Sequence, residues 1–172
     1  QDTRARNLPA TLIGGSIGLA LRSQGWHVTG RDRNGAMAAR AVELGALDVI
    51  GEDEEAEITF VATPVGAIAQ EVEEALARTS GLVTDVGSVK TALVRDVVAQ
   101  APQDSLRRFV PGHPMGGSER SGPEHASASV LDAIVWAITP HEASDPEAVD
   151  ALEAWTASLG ARPVRLDPER HD

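Results

Sequence analysis

The chain has 172 residues, of which 42% are hydrophobic and only 3% aromatic, so it is long enough for one domain with a mainly aliphatic core. Its formal net charge of −11 argues against a nucleic-acid partner, because phosphate binding needs a basic surface. It has no cysteine and no apolar run long enough to cross a bilayer, so we predict no disulfide, no metal site, no membrane association and a cytoplasmic location.

Short runs rich in β-branched residues alternate along the chain with longer stretches rich in Ala, Glu and Leu. The β-type runs predict strands at 26–31, 57–63, 81–86, 108–110, 133–139 and 162–166. The stretches with helical spacing predict helices at 15–24, 35–45, 65–80, 89–100 and 145–160. This alternation predicts an α/β fold with a doubly wound, mainly parallel sheet of the Rossmann type.

The segment "TLIGGSIGLALRSQGWHVTGRDRN" (11–34) is typical of the first turn and helix of a dinucleotide-binding unit. Such a helix presents free N–H groups and the positive end of its dipole to a pyrophosphate. Asp32 would accept the ribose hydroxyls of NAD, whereas Arg33 would favour the 2′-phosphate of NADP, so both cofactors stay open. Strand ends in such sheets also bind ligands. The predicted cofactor-binding residues are Gly14, Gly15, Ser16, Ile17, Asp32, Arg33, Thr63 and Pro64.

This glycine-rich turn departs from the G-x-G-x-x-G pattern. Pro9 and Thr11 occupy the first two glycine positions, and only the third glycine, Gly14, is present. Proline cannot take a positive φ, and Thr11 places a side chain where a pyrophosphate would approach the backbone. The preceding "RARNL" is a poor match to a buried strand. On this motif alone, an ordinary α/β turn without a nucleotide is an open alternative.

The segment "RRFVPGHPMGGSERSGPEH" (107–125) contains too many Gly and Pro residues to be a helix or a strand along its length, so we predict a loop. Polar residues on rigidly held loops are frequent in functional sites. A lone histidine in a turn, such as His113, is more often simply solvated. Asp85, at the end of a predicted strand, is expected to support a loop rather than to react.

Three separated motifs resemble the prephenate/arogenate dehydrogenases of tyrosine biosynthesis. They are "LIGGSIGLALR" (12–22), "TDVGSVKTALV" (84–94) and "FVPGHPMGGSERSGPEHA" (109–126), and "VWAITP" (135–140) and the terminal "HD" (171–172) are also similar.

The resemblance implies a domain organisation and a partner. Residues 1–167 would form an NAD(P)-binding Rossmann-like domain, and residues 168–172 would begin a helical dimerisation domain that is missing from this chain. A homodimer is expected only where that helical domain is present. Without the ligands it supplies, the chain should bind the dianionic substrate poorly.

The resemblance also implies a reaction. Prephenate would be oxidised to 4-hydroxyphenylpyruvate, or arogenate to tyrosine, with hydride transfer to NAD(P)+ and loss of carbon dioxide. His113 would draw off the hydroxyl proton, since an imidazole has an ordinary pKa of about 6.5, and Ser88 would hold the substrate hydroxyl and the nicotinamide in register. Ser118 and Glu119 would lie near the substrate. The alternatives are a degenerate, non-catalytic nucleotide-binding module and, for Ser88, a helix N-cap.

Overall fold

A five-stranded parallel sheet forms the centre of the molecule. The computed structural model describes residues 4–6, 12–32, 34–63, 65–116 and 127–172. The sheet has the order β3-β2-β1-β4-β5, and every neighbouring pair is parallel. The predicted doubly wound parallel sheet is therefore confirmed. Its strands are β1 (Arg4–Arg6), β2 (His27–Gly30), β3 (Val49–Ile50), β4 (Ile58–Val61) and β5 (Leu82–Asp85).

The helices follow the strands, as the sequence pattern indicates. Asn34 and Asp145 cap two of them: in the first turn, Asn34 accepts hydrogen bonds from two amides and Asp145 from one. Within the described ranges, no helix is long and apolar enough to span a membrane. The helices are α1 (Leu12–Ser23), α2 (Gly35–Glu43), α3 (Ile68–Arg78), α4 (Thr91–Gln100), α5 (Gln103–Leu106), α6 (Pro146–Ser158) and α7 (Pro168–His171), with 3-10 turns at Val65–Ala67 and Ala128–Ala133.

A second, three-stranded sheet corrects the prediction of a loop around His113. Its strands are β6 (Gly112–Met115), β7 (Val135–Ile138) and β8 (Arg162–Arg165). β6 is antiparallel to β7, and β7 is parallel to β8. His113 therefore lies on a strand, paired with Ala137. Pro114 is tolerated because β6 is the edge strand of this sheet, where a missing N–H costs little.

Two other strand predictions were wrong. The "RARNL" segment contains β1, which pairs with both β2 and β4 in the middle of the large sheet. Residues 108–110, predicted as a strand, form only an isolated bridge between Phe109 and Val83. Position between two neighbouring strands, rather than local residue preference, decides these short segments.

Two apolar clusters cover the two faces of the large sheet. One joins α1, α2 and α6 to the sheets through buried residues such as Ile17, Phe60 and Trp136. The other joins α3, α4 and α5 to the opposite face through residues such as Val72, Val97 and Phe109. Phe60 and Val61 are adjacent on β4 and belong to different clusters, as alternation along a strand requires.

Gly18 on α1 allows the helix to approach the backbone after α2, and we predict that Gly18→Ala destabilises the fold. A Cβ at this position would lie 2.2 Å from the carbonyl oxygen of Ala46. Backbone cannot move aside as a flexible side chain can, so we expect a loss of about 1–3 kcal/mol of unfolding free energy in urea denaturation. Gly35→Ala is the matched control, because a Cβ there meets no atom within 4 Å. Equal stability of the two variants would contradict this close approach.

Candidate functional site

The residues predicted to bind a cofactor gather at one edge of the large sheet. β1, β2, β4 and β5 are parallel, so their carboxyl ends meet at the same edge. Asp32 follows β2, Thr63 follows β4 and Ser88 follows β5. This is the edge where doubly wound sheets bind ligands.

The glycine-rich segment forms the first turns of α1, which begins at Leu12. Gly14 and Gly15 are buried, and the fully buried Ser16 accepts a hydrogen bond from the amide of Ser127 at 3.2 Å. Ile17 is fully buried in the apolar core, so its side chain supports packing and only its backbone is left to contact a ligand. The predicted positions Arg33, Pro64, Ser118 and Glu119, and the altered turn at Pro9 and Thr11, lie outside the described residues.

Two polar groups at this edge suit a nucleotide. Asp32 accepts a hydrogen bond from the Asn34 amide at 2.8 Å. The hydroxyl oxygen of Thr63 is buried and has no hydrogen-bond partner among the described residues. A buried hydroxyl at a strand end that lacks a protein partner fits a polar ligand in contact with it.

A buried ion pair lies beneath the predicted catalytic residues. The side chains of Asp85 and Lys90 are both fully buried and contact each other directly. The Lys90 ammonium also donates to the carbonyl oxygen of Gly112 at 2.6 Å. Burial raises the pKa of the Asp85 carboxyl and lowers the pKa of the Lys90 ammonium, while the attraction between the two groups opposes both shifts.

The Asp85 carboxylate links the segments that carry Ser88 and His113. One carboxylate oxygen accepts from the Gly87 amide at 2.9 Å, and the other accepts from the Gly112 amide at 3.2 Å. Ser88 and His113 are the next residues along the chain. The Asp85 carboxylate therefore holds the residues that precede Ser88 and His113, and the support role predicted for Asp85 agrees with these contacts.

A chain of hydrogen bonds runs from His113 to the end of α7. Nδ1 of His113 lies 2.8 Å from Nε2 of His171, and Nδ1 of His171 lies 3.0 Å from a carboxylate oxygen of Asp172. Asp172 also accepts from the amides of Lys90 and Thr91, at 2.9 and 2.8 Å. It thus caps α4, which shows that the alternative of Ser88 as the cap is wrong. Desolvation raises the pKa of the Asp172 carboxyl, but these hydrogen bonds outweigh it and hold that pKa well below its usual range.

This chain of hydrogen bonds constrains the proton on His113. An ionised carboxylate only accepts, so His171 donates from Nδ1 to Asp172. If the His171 ring carries no second proton, it accepts at Nε2, and His113 then donates from Nδ1 and keeps its lone pair on Nε2. Burial, with His171 and Lys90 adding to it, lowers the pKa of His113 to about 4, so the ring is neutral at neutral pH.

Sequence reasoning missed Lys90 and assigned no function to His171 or Asp172. Lys90 stands in the "GSVK" of the second motif, where a lysine before a helix is ordinarily solvated, and nothing local signals its burial. The "HD" pair carried a signal only through the family resemblance. His141, predicted to be structural, contacts the carbonyl oxygens of Leu106 and Phe109 at 3.1 and 3.0 Å.

The fold and the site define a class, an α/β domain of the nucleotide-binding kind with a neutral imidazole near the ligand edge of its sheet. The sequence matches the family model described as "Prephenate dehydrogenase, nucleotide-binding domain" over residues 17–165. It is 36% identical over 173 residues to the prephenate dehydrogenase of Bacillus subtilis. The chain belongs to the prephenate dehydrogenase family, as its three motifs suggested.

Solved structures agree with this assignment. The chain is similar to Synechocystis arogenate dehydrogenase, with a TM-score of 0.84, 29% identity and 99% of this chain covered. It is also similar to prephenate dehydrogenase from A. aeolicus in complex with hydroxyphenyl propionate and NAD+, with a TM-score of 0.86, 25% identity and the same coverage. The alignments span 94% of this chain but 46% of the Bacillus subtilis protein, and they span 61% and 62% of the two solved chains.

The lowered pKa of His113 makes stability depend on pH, and we predict that His113→Asn weakens this dependence. The folded state binds this proton only near pH 4, whereas the unfolded chain binds it near the ordinary value of 6.5. Between these values the unfolded chain holds more protons, so the contribution is complete above 6.5 and is lost as the pH falls toward 4. Urea denaturation across this window measures the slope. Burial also lowers the pKa of His141, which leaves a residual slope in the variant. Identical slopes in the two proteins would contradict the burial of His113.

Proposed function

We propose that this chain is the cofactor-binding part of a dehydrogenase that oxidises prephenate or arogenate. The observation that carries the proposal is the His113 imidazole, neutral at neutral pH and bound through Nδ1 to His171. Family membership supports the reaction class, and the match over residues 17–165 supports a nucleotide-binding unit at about residues 1–167.

In the proposed reaction, Nε2 of His113 accepts the proton of the substrate hydroxyl. The nicotinamide supplies the hydride acceptor when it is bound. A hydride leaves a carbinol carbon readily only if the hydroxyl proton is drawn off at the same time, so the acceptor nitrogen must face the substrate. The hydrogen bond to His171 occupies the other nitrogen and leaves Nε2 for this task.

Ser88 is proposed to orient the substrate hydroxyl beside His113. Ser88 is exposed just after the carboxyl end of β5, and the amide of the preceding Gly87 donates a hydrogen bond to Asp85. A hydroxyl at this position can both donate to and accept from a ligand. Ser118 and Glu119 stay proposed substrate contacts by resemblance.

NAD is the cofactor that the charges favour. Arg31, at the end of β2, is bound to Glu52 at 2.9 Å and to Glu71 at 3.2 Å. Its guanidinium is therefore already neutralised by carboxylates, and a 2′-phosphate would have to compete with them. Asp32 beside it would accept ribose hydroxyls and repel a phosphate.

We predict that His113→Asn in the gene product that carries this chain lowers kcat by about 100-fold or more, because a general base contributes at least that much. Formation of NADH from prephenate or arogenate, followed by absorbance, measures turnover, and calorimetry measures NAD+ affinity, which should not change. His27→Asn is the matched control, since His27 lies at the opposite, amino end of β2. Unchanged turnover of the His113 variant would remove this residue from the mechanism. Absence of NAD+ binding by the unaltered protein would favour a non-catalytic module.

We also predict that the chain binds NAD+ in preference to NADP+, and that Asp32→Ser reduces the preference. Loss of a charged hydrogen-bond acceptor for the ribose should weaken NAD+ binding by about tenfold. Calorimetric titration with both nucleotides measures the change. Asp104→Ser, on α5, alters the net charge equally and should leave both affinities unchanged. A preference for NADP+ in the unaltered chain would contradict this assignment.

A further inference from the structure

Lys90 is the unusual residue of this chain, because its side chain is fully buried although lysine is rarely so. Its ammonium group makes two contacts with the described residues, to the carboxylate of Asp85 and to the carbonyl oxygen of Gly112. Neither contact faces solvent. Lys90 therefore cannot touch a substrate, and its effect on chemistry must pass through the groups it holds.

The pair holds Gly112 at both of its backbone polar groups. Asp85 accepts from the Gly112 amide at 3.2 Å, and Lys90 donates to the Gly112 carbonyl oxygen at 2.6 Å. Two bonds to one peptide residue fix both its place and its orientation. His113 follows directly, so the start of its side chain is fixed as well.

The same carboxylate holds the turn before Ser88 through the Gly87 amide, at 2.9 Å. Both glycines fit tightly. A Cβ on Gly87 would lie 2.7 Å from Cδ1 of Ile68, and a Cβ on Gly112 would lie 2.8 Å from Nε1 of Trp136. The two segments therefore have little freedom to shift relative to the pair.

Stability alone is a poor reason for such a pair. Removing two charges from water costs much of what their attraction returns, and apolar residues of similar volume often stabilise a fold as well. Apolar residues could not, however, bind the amides of Gly87 and Gly112 or the carbonyl of Gly112.

We propose that Asp85 and Lys90 are positioning residues, which hold the Gly87–Ser88 turn and the Gly112–His113 strand at one fixed separation. The proposal rests on the functions proposed above for Ser88 and His113. The charge of Lys90 also opposes protonation of His113 and thereby helps to keep the ring neutral.

The test is an NMR titration of the His113 ring in the 172-residue chain. Lys90→Met keeps the aliphatic stem and removes the bond to Gly112. We expect the midpoint of His113 to rise from about 4 by on the order of one pKa unit, because the ring loses a neighbouring cation and becomes less firmly buried. If the unpaired Asp85 carboxylate prevents the Lys90→Met variant from folding, the double variant Asp85→Asn/Lys90→Met removes both charges. It is titrated in the same way, and we expect its His113 midpoint to rise as well.

Val97→Ala is the matched control. Val97 is fully buried on α4, the helix that Lys90 precedes, and its aliphatic side chain can form no hydrogen bond or ion pair with either member of the pair. The control should lower the melting temperature and leave the His113 midpoint unchanged. An unchanged midpoint in the pair variants, or an equal rise in Val97→Ala, would overturn the proposal. Failure of NAD+ binding or of turnover would count against the proposed function, but it would not change the His113 midpoints or the conclusion about Asp85 and Lys90 drawn from them.

Discussion

The carboxylate of Asp85 joins the two sheets of this protein at the point where its chemistry is proposed to occur. Asp85 is the last residue of β5 in the large sheet, and Gly112 is the first residue of β6 in the small one. A neutral side chain with one acceptor could bind one of the amides that Asp85 binds, but not both amides and an ammonium group. The cost of burying this charge is offset by Lys90, which also reaches across to β6. The placement of Ser88 and His113 thus depends on the Asp85–Lys90 pair, which binds both the amide and the carbonyl oxygen of Gly112 across the two sheets.

Lys90 also takes part in a second set of hydrogen bonds. Its side chain binds Asp85, while its backbone amide binds Asp172, which in turn binds His171. His171 also contacts His113, so these hydrogen bonds connect Lys90 to the His113 ring. The position of the His113 ring and the position of the strand beneath it are therefore set by groups that meet at one residue. This closed arrangement explains how a ring on an edge strand can be held in one orientation although part of it faces solvent.

The sequence predicts the parallel sheet and most of its helices because these elements are long enough to display their period. The prediction fails where an element is short or where contacts with distant parts of the chain determine its structure. β1 has three residues and β3 has two, and β6 contains a proline, so none of them displays a strand pattern. The candidate site divides in the same way. Resemblance predicts Ser88 and His113. The burial of Lys90 depends in part on Gly112, 22 positions away, and the capping of α4 depends on Asp172, 82 positions from Lys90, so neither has a local signature.

The low pKa of His113 bears on the strength of the proposed base. An imidazole with a pKa of about 4 is neutral at physiological pH, yet it holds a proton weakly. In the proposed reaction a dianionic substrate would lie against the ring, and its negative charges would stabilise the imidazolium and raise that pKa. The substrate would also exclude water, which strengthens the attraction between the charges. The base would therefore become stronger when the substrate is bound, and the free site would keep the ring neutral and its Nε2 lone pair available.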